Sequence, residues 1–171
     1  MKNKLLTRER MDRMIEARDD AEAMKLLAEC GYQDAAGLDA ALAQARAGVF
    51  KDMEQGAPDP RLVEVFQIKY DYHNAKTILK SQAVGNDPER LLLAGGRYDP
   101  GQLLDSWKRE ALSGVSETFR KAMEQAGAAL TEGGDPQRAD LILDRACYAE
   151  MARLADELKS PFLQGYVRLS V

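Results

Sequence analysis

The chain has 171 residues, 45% of them hydrophobic and 30% charged, and its 24 basic and 28 acidic side chains leave a net charge of −4. A chain of this length buries about 70% of its extended surface on folding, enough for an apolar core without metal or disulfide staples. The mixed, mildly acidic balance lacks the basic excess of a nucleic-acid binder. No apolar run reaches the ~18 residues of a membrane span or resembles a signal peptide, so membrane association would have to run through a complex. The two cysteines, Cys30 and Cys147, stand far apart with no CxxC pairing and read as small buried hydrophobes in a reducing cytoplasm.

Apolar residues recur at helical spacing and strand-like alternation is almost absent. Helices are expected over roughly 4–17, 20–30, 36–55, 60–83, 88–94, 100–112, 116–131 and 136–158, giving an all-α chain of about eight helices with short, antiparallel connections. Four Asp-Pro pairs, at Asp59, Asp87, Asp99 and Asp135, mark helix starts. The carboxylate can accept from free first-turn amides, and proline suits a first position that needs no amide partner. Within the third segment Leu38, Leu42, Ala45, Val49 and Met53 form a narrow seam; Phe119, Met123, Ala126 and Leu130 do the same later. In the last helix Leu143, Cys147, Met151, Leu154 and Leu158 share a face that Ile142, Ala146 and Ala149 widen.

Markers of chemistry are missing. There is no phosphate-binding GxxxxGK[ST], no dinucleotide GxGxxG and no HExxH zinc motif. The glycines of GGRYDPG read as a helix stop, a turn and the next start. Asp140 and Asp144 share a helix face as a diiron bundle would require, but such bundles also need paired histidines, and the chain has one. The pair therefore reads as a solvated acidic face. No serine or cysteine sits on a strained glycine-flanked turn that would make a triad with His73.

That histidine lies in YDYHNAK, within the helix expected over 60–83. One face of this helix carries Val65, Ile68, Tyr72, Ala75 and Leu79, and a second carries Phe66, Tyr70, Asn74 and Thr77, which predicts a helix surrounded by others. Lys69, His73 and Lys76 follow one edge, so His73 reads as a surface or hydrogen-bonding residue. Asp71 and Asn74 are placed to satisfy backbone groups of a neighbouring turn, since buried polar groups need partners. The motif is thus expected to be architectural.

Asp71, Tyr72, His73, Asn74 and Lys76 also resemble the Asp-Tyr-His-Asn-Leu-Lys signature of the C subunit of V-type and archaeal-type rotary ATPases, the counterpart of the eukaryotic d subunit, with Ala75 in place of leucine and Tyr70 preceding. Upstream, KLLTRERMDRMIEARDDAEAMKLLAECGY is similar to the family's opening helices. Downstream, Leu143-Asp144, Tyr148, Phe162-Leu163 and Tyr166 are similar to its second-repeat helix and the segment that follows. The resemblance implies helical repeats arranged as a funnel: a first over 1–95, beginning slightly inside the family's usual start, and an incomplete second over 96–171. Members run to about twice this length, which predicts a truncated chain whose continuation past Val171 would echo YDYHN as Asp-x-x-Asn-Leu-Arg.

The same resemblance implies a part without catalytic residues, cofactor or metal, lying peripherally on the cytoplasmic side of the membrane. Its partners would be the central shaft proteins and the proteolipid ring, and no nucleic acid. A shortened chain would expose half-core surface through which it could self-associate. Two other readings stand beside it: an unrelated helical adaptor that binds protein through an amphipathic groove, and a small hydrolase built on His73 or a cysteine.

Overall fold

The computed structural model describes residues 6–32 and 37–171. Among the described residues eight α-helices run in order, α1 Arg8–Ile15, α2 Asp20–Glu29, α3 Leu38–Gly56, α4 Arg61–Ala83, α5 Pro100–Lys108, α6 Glu117–Gly133, α7 Pro136–Glu157 and α8 Pro161–Ser170, and there is no strand. The all-α expectation holds. The expected beginnings of the first and third helices, at residues 4 and 36, lie outside the described residues. The chain divides into two compact units, one up to Asp52 and the other from Met53, so the division falls inside α3.

In the first unit α1 and α2 start at side-chain caps. Thr7 accepts from the amide of Arg10 at 3.4 Å and Asp19 from that of Glu22 at 2.8 Å, which satisfies donors a first turn leaves free. Gly31, at φ 87°, ends α2 in the left-handed turn that glycine adopts without penalty. Leu27 and Cys30 are buried. The expected α3 seam is corrected here: Leu38 and Val49 are each 50% exposed, and the buried position is Ala41. Periodicity tells which residues share a face of a helix; whether another element lies over that face is a tertiary matter.

The second unit is built around α4 and α7. Lys80 meets Asp140 and Lys76 meets Asp144, each at 2.7 Å, and the Tyr72 hydroxyl meets Glu150 at 3.0 Å. Numbers rise along one helix as they fall along the other, so the two run antiparallel in a fixed register. The paired aspartates correct the expectation of a solvated acidic face, because their helix lies beside a row of lysines. Such half-exposed pairs contribute at most about 1 kcal/mol each, and apolar burial contributes more. Val65, Ile68, Phe119, Met123 and Met151 are fully buried, at about 1.5–3 kcal/mol per large side chain. The Phe119 ring receives those of Tyr72 and Tyr98 at 5.0 and 5.3 Å.

Asp99 and Asp135 cap α5 and α7, accepting from Gln102 and Arg138 amides at 2.8 and 3.0 Å, each with proline at the first helical position. Asp87 starts only one 3-10 turn, Glu89–Leu91, where a helix over 88–94 is expected. The cause lies on α4. The Asn74 amide donates to the Leu93 carbonyl at 2.9 Å and its oxygen accepts from the Leu93 N–H at 2.8 Å, so that backbone unit cannot join a helical ladder. The fifth helix stops at Lys108 instead of 112, because Glu110 turns left-handed at φ 53° and the Ala111 amide returns to the Ser106 carbonyl. Helix α8 is an addition to the elements expected from periodicity. Lys159 at φ 50° ends α7, Ser160 accepts from the Leu163 amide at 3.4 Å, and Pro161 opens the new helix.

Phe119 and Phe162 test this account of the core. Phe119→Ala is expected to lower the unfolding free energy by about 3–5 kcal/mol in urea titration. Phe162→Ala, at a position 73% exposed, is expected to change it by less than about 0.5 kcal/mol. Equal effects would show that the core sits elsewhere.

Candidate functional site

The densest polar arrangement in the second unit lies inside it, where α4 and α7 face the loop before α5. Asp71 and Glu150 have no exposed side-chain surface and share the guanidinium of Arg97. Arg97 Nε donates to Asp71 Oδ2 at 2.7 Å and Nη1 to Glu150 Oε1 at 3.0 Å. The second Asp71 oxygen accepts from the Tyr98 amide at 3.3 Å, and the second Glu150 oxygen from the Tyr72 hydroxyl at 3.0 Å. Tyr98 extends the array by accepting from the Ser116 amide at 2.8 Å, which ties the start of α6 to the same loop.

Glycine makes this approach possible. A Cβ on Gly96 would stand 2.2 Å from Asp71 Oδ1, and Gly95 has φ 112°, where other residues are strained. The two glycines read as a helix stop therefore also bring an arginine backbone against α4.

Two buried carboxylates around one guanidinium carry a net negative charge, and that sets the proton affinities. Burial pushes the Asp71 carboxyl up to about 6, against the pull of Arg97 and the Tyr98 amide. For Glu150 burial acts in the same direction, but hydrogen bonds from Arg97, Ser116 and Tyr72 together with the Arg97 charge outweigh it and hold the group low. The Tyr72 phenol is driven upward by burial and then by Glu150, so it remains a neutral donor. Burial opposes the charge on Arg97, yet Glu150 and Asp71 raise its affinity for the proton.

The remaining motif residues fall at different places. Asn74 is buried and holds Leu93; Lys76 is tied to Asp144 across the helix pair. His73 is exposed, with Nε2 3.5 Å from the Thr77 hydroxyl. Tyr70 is half-buried on the same helix, and Tyr148 lies half-buried against the core. The Tyr166 ring lies 4.9 Å from that of Phe66, and Lys69 Nζ lies 3.0 Å from the Tyr166 hydroxyl. Phe162 projects outward.

No reactive constellation is assembled from these groups. Cys147 is buried, its sulfur 3.9 Å from Met151 Sδ, and burial pushes its thiol up to about 12, far from a thiolate nucleophile. Among the described residues no three His, Cys, Asp or Glu side chains converge as metal ligands. Chemically, the cluster can hold a loop and two helices in one arrangement and can take up a proton.

Sequence reasoning missed Arg97, Tyr98 and Glu150. A signal existed for Glu150, which stands between Cys147 and Leu154 on the apolar stripe of α7; a carboxylate on a core stripe demands a buried cation. The identity of that cation could not be read from spacing, because Arg97 comes from a loop.

Two measurements probe the cluster. A folded-state pKa above the unfolded value of 3.8 means that the Asp71 contribution is fully present below about 3.8 and is lost as pH rises through about 6. Acidification from pH 7 to 5 is therefore expected to add about 1 kcal/mol to the wild-type chain relative to Asp71→Asn, read from urea midpoints at each pH; parallel profiles would contradict the assignment. Gly96→Ala is expected to cost about 1–3 kcal/mol through the clash with Asp71, and a neutral result would show that the loop can move away.

Comparisons with known proteins agree with the resemblance in the motifs. No solved structure gives a significant match. The chain is similar to the C subunit of the V-type sodium ATPase of Enterococcus hirae, with 26% identity over 125 residues, which cover 73% of this chain and 38% of that protein. The chain thus spans well under half the length of that relative in the aligned region. The model of the ATP synthase (C/AC39) subunit family matches residues 1–171, and the chain belongs to that family.

Proposed function

We propose that the chain is part of the non-catalytic coupling component of a V/A-type rotary ATPase, joining the central shaft to the membrane proteolipid ring during ATP-driven proton or sodium transport or ATP synthesis. The observation that carries this reading is the family match over residues 1–171. The fold supports it in a physical sense. A part that transmits torque must resist deformation, and the second unit is a close-packed helix array with capped starts and an internal ion cluster.

In this reading YDYHNAK is a structural signature. Asp71, Tyr72, Asn74 and Lys76 hold α4 to its neighbours, and His73 has no chemical duty. Residues 1–95 form, in the same reading, a first helical repeat and 96–171 part of a second, as the family resemblance implies, and this division is separate from that into packed units. No described helix is long and apolar enough to cross a membrane. In the proposed role the part attaches through partner proteins and sits peripherally on the cytoplasmic side.

The test is to tag the chain in its source organism, cross-link membranes, and identify the linked proteins by mass spectrometry. Cross-links to shaft and proteolipid proteins are expected, and His73→Ala is expected to leave ATP hydrolysis by the assembled complex unchanged. Cross-links confined to proteins outside the ATPase would favour a helical adaptor, and loss of hydrolysis in His73→Ala would remove the structural reading of that residue.

A further inference from the structure

On the outer side of α7, Arg138, Leu141, Ile142 and Arg145 follow at i, i+3, i+4 and i+7 and so form one stripe. Leu141 is 53% exposed, and Ile142 is half-buried against the core. The stripe borders an open cleft against α6. Two adjoining hollows of about 660 and 460 Å³ share Gln125, Ile142 and Arg145, and the α6 side of the larger one is made by Ala128 and Ala129. Alanines leave the helix backbone close to the surface, so another helix can approach closely.

The charges bordering this cleft are unlike those elsewhere on α7. Asp140 and Asp144 are bound to lysines of α4, and Arg153 is bound to Glu157. The guanidiniums of Arg138 and Arg145 are exposed, and neither forms an ion pair among the described residues. Lys121, also on the border, is already bound to Glu117, and Glu132 is the one acidic side chain lining the hollows among the described residues. A positive border around an apolar floor thus stands on a chain whose net charge is −4.

We propose that this cleft is a docking groove for an acidic amphipathic helix of a partner protein. Two carboxylates seven residues apart on that helix meet Arg138 and Arg145, and the apolar side chains between them cover Leu141 and Ile142. Arginine forks suit carboxylates, and an amphipathic helix lying in a groove buries its apolar stripe while its flanking charges set register and orientation. The groove lies wholly on the second unit, and its chemistry is independent of the coupling role.

The test uses a fluorescent, alanine-rich helical peptide of about 18 residues, five turns, with leucines at i+3 and i+4 between glutamates at i and i+7. A control peptide carries lysines in place of the glutamates. Anisotropy titrations with the full chain are expected to show saturable binding of the glutamate peptide, at least about tenfold tighter than the lysine peptide. The double variant Arg138→Glu/Arg145→Glu, both positions exposed and the fold checked by circular dichroism, is expected to reverse that preference. Equal affinity for the two peptides, no saturable binding, or an unchanged preference in the double variant would overturn the proposal. Sedimentation showing a wild-type dimer that the double variant loses would overturn it too, by assigning the groove to a second copy of the chain.

Discussion

Arg97 stands between Asp71 and Glu150, and much of the second unit is arranged around that one shared guanidinium. An arginine side chain removed from water must be matched by anions and hydrogen-bond acceptors, and so must each carboxylate it meets. Here one cation serves two acids on two antiparallel helices, and their remaining oxygens are taken by a phenol and a backbone amide. The arrangement fixes three things together: the register of α4 against α7, the path of the loop that delivers Arg97, and the position of Tyr98, which then receives the first residue before α6. A well-packed apolar substitute could be as stable, since burying ions is costly. What an ion cluster adds is that a helix shifted by one turn would leave charges stranded, so alternative packings are heavily penalised.

The neighbouring contacts follow from the same register. With α4 and α7 locked at Tyr72 and Glu150, Lys76 and Lys80 come opposite Asp144 and Asp140, and Asn74 comes opposite the Leu93 backbone. That last contact ends what would otherwise be a helix and frees the chain to bend through Gly95 and Gly96 toward Asp71. Polar side chains of one helix therefore decide both what lies beside it and where the following segment stops being helical. The proposed coupling role would call for that kind of determinacy, because load applied at one surface would have to reach another without the body yielding. The same packing leaves the outward stripe of α7 unmatched, with arginines at either end of an apolar step.

Much of this was legible along the chain. Asp99-Pro100 and Asp135-Pro136 announce helix starts through local chemistry alone, and Ser160-Pro161 carries the same kind of signal for a helix that periodicity over a short stretch did not reveal. The apolar faces of α4, α6 and α7 were readable because most of their length is covered by other elements. The α3 seam was readable as a stripe and misleading as a core, since Leu38 and Val49 lie open. Of the ion cluster, Asp71 was visible as a polar residue placed to satisfy a neighbouring turn, whereas Arg97 was hidden in a turn whose glycines had a sufficient local explanation.

The sequence by itself determined the helical class, most helix boundaries, the absence of recognisable catalytic motifs and the family, because capping, periodicity and motif order are properties of near neighbours in the chain. Only the tertiary structure decided which charges meet: that Asp140 and Asp144 are bound by lysines, that a loop arginine joins two buried acids, and that Asn74 stops a helix nineteen residues away. Those pairings join residues far apart along the chain. Their energy depends on distance and desolvation in the folded state, which no local spacing encodes.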